Sequence, residues 1–405
     1  MRYFRNVSRV KRLRPYLAGA VAARAGDEMS GPALMLAGFA LAGSTTEASS
    51  LLAGITVAAA VGGPVLGVLL DRAARPGRLL AGALVLYAAG LGMILLGLGH
   101  LPIAVNVLIA VFTGLLGPAL SGGWTAQLPR VVSRAELPRA NALDAMTFSM
   151  ASLAGPALAG GVAELLGAPM AVTVSVVLIG MAVAAAWTLP ARSGSARESQ
   201  TNSMIGDLAA GARVIVRSAG LTRATLTSVI SCIAQGMLTA CIPLLGERVL
   251  GGAGRGALLL SCAAISALAA NAVLARVPRS VSPDTIIWVS ALTQAAALAL
   301  AAMDQPAVLI VAMLLAGIGQ GPQLTALFAV RHREVPENLR GQIFTTGASL
   351  KITGFALGAA TAGPIATWSL PGALALAATL AVLAALAFWI VPPGRQPSDA
   401  SATPR

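Results

Sequence analysis

The chain has 405 residues and a mass of 40.5 kDa; 57% of it is hydrophobic, only 11% is charged, and the mean hydropathy is +0.80. Soluble domains are about a quarter charged, so this composition argues against a soluble enzyme, a disordered chain and a secreted disulfide scaffold. The net charge of +13 comes from basic residues in short segments between apolar runs, a pattern of membrane orientation rather than of nucleic-acid binding.

The sequence therefore predicts an all-α, polytopic membrane protein. The basic segment up to Arg14 precedes an apolar stretch that carries Arg24, Asp27 and Glu28 and runs to Leu41. It is too long and too polar for a cleavable signal peptide and reads as a retained first span. A bilayer-crossing helix needs about 20 mostly apolar residues. Spans are expected at 16–41, 47–70, 79–98, 101–127, 142–165, 168–190, 222–245, 256–275, 284–302, 306–330, 343–366 and 371–391, twelve in all. With the N-terminus cytoplasmic, 24 Lys and Arg fall on one side and two, Arg248 and Arg255, on the other; Arg24 and Lys351 lie within spans. That asymmetry supports the even count and cytoplasmic placement of both termini. Lysine occurs only at 11 and 351 while Ala and Gly abound, a composition that suggests a G+C-rich bacterium and hence the inner (plasma) membrane.

The chain reads as two related halves. AELPRAN around Glu136 and PENLRGQ around Glu337 are 201 residues apart, each before a Gly/Ala-rich span. The predicted organisation is a six-helix bundle over 1–190, a cytoplasmic linker over 191–221, a second six-helix bundle over 222–393 and a cytoplasmic tail over 394–405. Parallel repeats of this kind place a transport site near the midplane between the halves. Cys232, Cys241 and Cys262 sit in apolar runs, and His100 and His332 are the only histidines. No metal-ligand spacing is present, so neither a metal nor a cofactor is expected.

Several polar features stand out against the apolar background. After the second span come Gly67, Asp71, Arg72, Arg75 and Arg78. A glycine there lets another helix approach, and an aspartate at a helix end can accept hydrogen bonds from a neighbouring helix N-terminus or pair with Arg. Such contacts could form a cytoplasmic gate; the alternative is an ordinary basic loop. Arg24, Asp27 and Glu28 form the sharpest cluster, and Arg24 is spaced to pair with either acid along one helical face. A membrane-embedded charge is usually paired or functional, so the cluster is either a proton-coupling or gating site, with Asp27 the better candidate, or a structural ion pair. In the fifth span, Gly155, Pro156, Gly160 and Gly161 break helix hydrogen bonding and expose backbone for close packing. Lys351, Gln320, Gln323 and Gln235 are candidate cavity residues; snorkelling of Lys351 and interhelical bonding of the glutamines are the competing readings. Asp144 and Glu164, flanking the fifth span, are expected at the interface. Trp124, Phe148, Phe328, Phe344 and Phe355 are possible apolar cavity walls, with core packing the competing reading.

The run from Gly67 through Asp71 and Arg72 to the following arginines resembles the signature loop of the major facilitator superfamily, with Ala74 where that motif usually has Gly. Arg24-Ala25-Gly26-Asp27, Leu128-Pro129, Arg139-Ala140-Asn141 and Gly155-Pro156 through Gly161 are similar to the drug-efflux branch that includes macrolide exporters, the last resembling a motif associated with antiporters. The Arg that many proton–drug antiporters carry in the fourth helix is absent from the run Ala110–Gly114. The resemblance implies twelve helices in two pseudo-symmetric bundles, alternating access around a central cavity, and a monomer. It points to a secondary active transporter that exports an amphipathic small molecule in exchange for protons. An importer or facilitator of a small nutrient or organic anion is the alternative on the same fold. No ATP-binding loop and no hydrolase or zincin motif is present, so the chain is not expected to be an enzyme. Its expected partners are substrate, protons and lipid, without nucleic acid.

Overall fold

The computed structural model describes residues 2–42, 45–191, 203–251, 256–276 and 281–391. The tail 394–405, the linker stretch 192–202 and Arg255 lie outside the described residues. The first half of the chain forms α1 (Arg2–Ala42), α2 (Thr45–Arg72), α3 (Pro76–Gly97), α4 (Ile103–Gly114), α5 (Leu128–Val131), α6 (Leu137–Leu166) and α7 (Ala168–Trp187). The second forms α8 (Met204–Arg217), α9 (Ala219–Leu250), α10 (Gly256–Arg276), α11 (Pro283–Ala301), α12 (Pro306–Glu334), α13 (Arg340–Trp368) and α14 (Leu370–Ile390).

Starts and breaks follow from local chemistry. Ser203, Ser218, Ser282 and Ser369 each accept a hydrogen bond from the backbone N–H three residues on, opening α8, α9, α11 and α14. These caps satisfy donors that a helix N-terminus leaves free. The expected fourth span is not one helix. α4 ends at Gly114, a π-helical turn follows at Ala119–Gly123, and α5 closes the segment. Gly117-Pro118 and Gly122-Gly123 supply the breaks, since Pro removes a donor and Gly tolerates an irregular backbone. Gly114 lies against the backbone of Ile55, and Gly62 of α2 against the backbone of Leu115, so α2 and α4 cross with no side chain between them.

Among the described residues, ten helices are long and apolar enough to cross a membrane, the third of them being the segment Ile103–Gly123. The two further spans of the twelve are α1 and α13, which carry the intramembrane charges Arg24, Asp27, Glu28 and Lys351. Within the first half, α1 packs between α2, α6 and α7, and α3 packs on α7 and α4. Within the second, α9 packs between α13, α14 and α10, while α12 packs on α10 and α11. The halves meet along two seams, α2 with α13 and α6 with α10 and α12. Counting spans, these seams pair the second with the eleventh and the fifth with the eighth, as a pseudo-twofold between six-helix bundles requires. α1 is flanked by α2 and α6, both seam helices, so its remaining face looks toward the other bundle.

The polar linker is also more ordered than expected. Residues 204–217 form the amphipathic α8, which lies against α9, α2 and the start of α13. We call the end of the bundle where α2 finishes and α6 and α13 begin the basic end.

Candidate functional site

At the basic end the halves are closed by three successive layers. In the outermost, the Asp71 carboxylate accepts hydrogen bonds from the backbone N–H groups of Gly341 (2.7 Å) and Gln342 (2.8 Å) at the N-terminus of α13. Those amides have no partner within their own helix, and the helix dipole favours a negative charge there. Arg72 donates to Asp207 of α8 at 2.8–2.9 Å, and the Gln342 side chain donates to the Leu208 carbonyl at 3.1 Å. α8 thus straps the seam from outside. Gly67 makes the approach possible, because a methyl group there would overlap the Cα of Gln342 and the hydroxyl of Thr345. Arg75 and Arg78 belong to the same sequence motif but are exposed, and Arg78 stacks over Trp187 within the first half (5.0 Å).

The second layer is aromatic. Phe148 of α6 meets Phe328 of α12 at 5.9 Å between ring centroids, and Phe328 meets Phe344 of α13 at the same distance. Ala126, Ala145 and Leu324 fill the gaps around them. In the third, the Gly63 N–H donates to Ser349 Oγ (3.1 Å) and Ser349 donates to the Ala59 carbonyl (2.5 Å).

Beside and above this closure lie the charges of α1, and their pairing differs from the sequence expectation. Arg24 does not pair with Asp27 or Glu28. Its guanidinium is 2% exposed and bridges to Asp144 of α6, itself 0% exposed, at 2.9 Å. It also donates to Thr125, Thr147 and the Asp144 carbonyl, and lies over the Phe148 ring at 3.7 Å. Asp144 further accepts from Tyr16 (3.0 Å) and Thr125 (2.8 Å). The expectation of an interfacial Asp144 is therefore corrected. α6 begins at Leu137, so Asp144 lies two turns inside the helix and inside the bundle. Asn141, Asp144 and Thr147 form a polar stripe at i, i+3 spacing that marked this buried face in the sequence. Glu164 is exposed, near the far end of α6.

Among the described residues, Asp27 and Glu28 are consequently left without a cation. Asp27 accepts a hydrogen bond from the Tyr87 hydroxyl of α3 at 2.7 Å. Glu28 is exposed and meets only Ser152 Oγ, at 3.5 Å. It belongs to a stripe of exposed or half-buried residues, Glu28, Pro32, Met35 and Phe39, on the α1 face opposite Gly26, which is packed on Ile179 of α7. Gly155 presses on the backbone of Glu28 and Met29, where a methyl group would lie 2.6–3.0 Å from their atoms. The rest of the helix-five motif is different. Pro156, Gly160 and Gly161 are exposed, and a methyl group on either glycine would have nothing within 4 Å. The expected close packing at those two glycines is absent, because α6 beyond Gly155 runs clear of the other bundle. Gly363 and Pro364 of α13 are likewise exposed. The bundle is shut at the basic end and splayed at the other.

Across from α1, Gln235 of α9 donates to Gln320 of α12 at 3.0 Å. Gln323 donates to Ser231 (3.1 Å) and accepts from Gln294 (3.1 Å). Gln320 and Gln323 thus enter separate networks: Gln320 is half-buried and Gln323 is buried. Lys351 is half-buried in α13 with no side-chain hydrogen bond or ion pair among the described residues. Sequence reasoning missed Arg331, counting it with a basic loop. It lies inside α12, 2% exposed. Gln320, Gln323 and Arg331 fall on one face of that helix, which was the signal available.

The family model of the Major Facilitator Superfamily matches residues 16–350. The chain belongs to that superfamily. Its members are membrane transporters of small molecules, not enzymes. An uncharacterized MFS-type transporter, y4rN, of Sinorhizobium fredii (strain NBRC 101917 / NGR234) is 30% identical over 409 residues, covering 97% of this chain and 98% of the relative. Among solved structures, the human organic anion transporter MFSD10 (TETRAN) superposes with a TM-score of 0.77 at 14% identity, covering 94% of this chain and 99% of that one. A bacterial homologue of the iron transporter ferroportin in an outward-facing state gives 0.76 at 15% identity (94% and 98%), and the E. coli fucose:proton symporter FucP 0.72 at 13% (95% and 99%). At these identities the superpositions establish the fold alone.

Proposed function

We propose that this transporter exports an amphipathic small molecule in exchange for protons, by alternating access between the two bundles, and that it belongs with the macrolide-efflux-like branch. The observation that carries the proposal is the pairing on α1. Arg24 is paired with Asp144, which leaves Asp27 and Glu28 as carboxylates within a membrane span, without a cation among the described residues, on or beside the face turned toward the other bundle. An unpaired carboxylate in a low-dielectric site is stabilised by taking up a proton and, when wetted, by releasing it. A pair of such groups near a cavity open at one end is suited to carrying protons between the two faces. The Arg-rich composition of the closed end supports a cytoplasmic location for it in a bacterial inner membrane, with both termini on that side. The splayed end then faces outward, ready to release substrate and load protons.

The test is drug accumulation in cells lacking their own efflux pumps, with and without an uncoupler. Wild type lowers accumulation of at least one amphipathic compound, and Asp27→Asn, Glu28→Gln or the uncoupler removes the effect at normal membrane expression. Raised uptake of a compound would reverse the direction and favour proton-coupled import. Efflux that persists in the double variant Asp27→Asn/Glu28→Gln would remove the α1 acids from the mechanism.

A further inference from the structure

The intramembrane charges are divided between the bundles. The first half holds Asp27, Glu28 and the neutralised pair Arg24–Asp144. Among the described residues of the second half every acid lies near a helix end or in a connection: Asp207, Glu247, Asp284, Asp304, Glu334 and Glu337. Arg248 pairs with Asp304, and Arg333 with Asp284 and Glu334, at those ends. Among the described residues, neither Arg331 nor Lys351 has a carboxylate partner within its own bundle.

Arg331 reaches from α12 onto the stripe of α13 that carries Lys351. The Arg331 guanidinium rests on Gly347, where a methyl group would overlap it, and stands over the Phe344 ring at 5.7 Å. Its Nε is buried without a hydrogen-bond partner. Lys351 follows Gly347 by one helical turn, about 6 Å along the axis. Leu350 and Leu357, exposed, mark the lipid side of α13, and Ser349 marks the seam with α2. Phe344, Gly347, Lys351 and Phe355 fall on the side turned from the lipid, toward α9 and the space between the bundles. Lys351 stands just above the Ser349 seal, so it is the first cation met at the floor of that space from the splayed end. A buried guanidinium with an unused donor and a half-buried ammonium, neither ion-paired among the described residues, place two positive charges side by side.

We infer that Arg331 and Lys351 form an anion-binding subsite, and that the transported molecule carries an acidic group, a carboxylate, sulfonate or phosphate, on an apolar body. The ammonium contacts the acid directly and the guanidinium supplies field and a second donor from beneath. The inference rests on the transport reading above and narrows its substrate class.

The test uses two xanthene dyes of similar body and opposite charge, fluorescein and rhodamine 123. Their binding to the purified full-length chain in zwitterionic nanodiscs is followed by anisotropy, which needs neither a gradient nor a direction of transport. Fluorescein is expected to bind in preference to rhodamine 123. Lys351→Gln weakens it about tenfold or more, the scale of one charge-assisted hydrogen bond, while Lys351→Arg retains it. Gly347→Ala, which displaces the guanidinium, weakens it without removing either charge. Preference for rhodamine 123, fluorescein binding indifferent to Lys351→Gln, or binding of neither dye overturns the proposal. If Lys351→Gln abolishes efflux but leaves fluorescein binding intact, and the exchange Glu28→Lys with Lys351→Glu restores efflux, Lys351 is a partner of Glu28 and the subsite is rejected. The accumulation assay scores the exporter reading separately, since efflux of any compound sustains that reading whichever dye binds here.

Discussion

Removing either partner of the Arg24–Asp144 pair should destabilise the first bundle far more than removing both. Asp144→Asn keeps the shape but leaves a guanidinium that is 2% exposed facing a neutral amide. Arg24→Met leaves a carboxylate in the same dry site. Breaking a buried pair from one side costs about 3–5 kcal/mol, because the remaining charge is uncompensated. At roughly 2–4 °C per kcal/mol for a unit the size of one bundle, the melting temperature should fall by about 6–20 °C. The double variant Arg24→Met/Asp144→Leu should recover most of this. It leaves no charge behind, and the two hydroxyls that Asp144 served have other acceptors nearby: Thr125 bonds the Ser121 carbonyl at 3.2 Å and Tyr16 the Trp124 carbonyl at 3.4 Å. The assay is thermal unfolding of the four purified proteins in one detergent, read as a double-mutant cycle. Single variants that melt with wild type, or a double variant whose loss equals the sum of the singles, would refute the assignment of Arg24 to Asp144.

Three further outcomes follow from the closure. Asp71→Asn keeps an acceptor but removes the charge on the α13 N-terminus, worth about 0.3–2 kcal/mol; spin labels at the exposed positions 74 and 338 should show a larger population of long distances, and an unchanged distribution would mean the carboxylate does not hold the seam. Phe328→Ala removes the ring shared by Phe148 and Phe344, so a cysteine placed at Ser349 should react faster with a thiol reagent supplied from the basic end; equal rates would show that the aromatic layer is not a seal. A Cβ at Gly161 meets nothing within 4 Å here, so the stability of Gly161→Leu should stay within about 0.5 kcal/mol of wild type, as for an exposed substitution, while transport falls if α6 must close on the other bundle; full transport would show that this stretch of α6 stays apart through the cycle.

The helices were legible because a membrane span is defined by a run of apolar residues, and each expected span is occupied by helix. What hydropathy cannot see is helix that continues past the apolar run. The backbone ladder needs no apolar side chain, so α12 extends to Glu334 and α6 starts at Leu137. Arg331, assigned to a loop, and Asp144, assigned to the interface, thereby became intramembrane groups. The pairing of Arg24 shows a second limit. Spacing within one helix made Asp27 and Glu28 look like its partners, whereas its partner is 120 residues away and was decided by packing. Asp71 and Gly67, by contrast, were legible as a pair, since a small residue one turn before an acid at a helix end has few uses besides close approach and capping. The strap formed by α8 was hidden because a short amphipathic helix between polar residues resembles a linker.

The two ends of the molecule are built from unlike materials, and that difference bears on how a cycle can run. Closure at the basic end relies on specific groups: a carboxylate on two amides, an ion pair to α8, three rings and a serine between helices. Such contacts are short-ranged and directional, so they are lost together within the first ångström or two of separation. At the other end, α6 and α13 present glycine and small residues with no neighbour, a surface that can be covered by another helix with little loss of side-chain entropy. A balanced transporter needs the two closures to be similar in free energy, because a deep minimum on one side would trap it. The basic end reaches its share through a few strong contacts, and small-residue packing can reach the same total by close approach over a longer seam. The charges between them can set the bias. With Asp27 and Glu28 ionised, the first bundle's wall is negative and the second bundle's is positive, and the two attract across the space. On the proposed proton coupling, protonating both acids abolishes that attraction, so occupancy by protons would act on the distance between the bundles through the same residues that hold the proton.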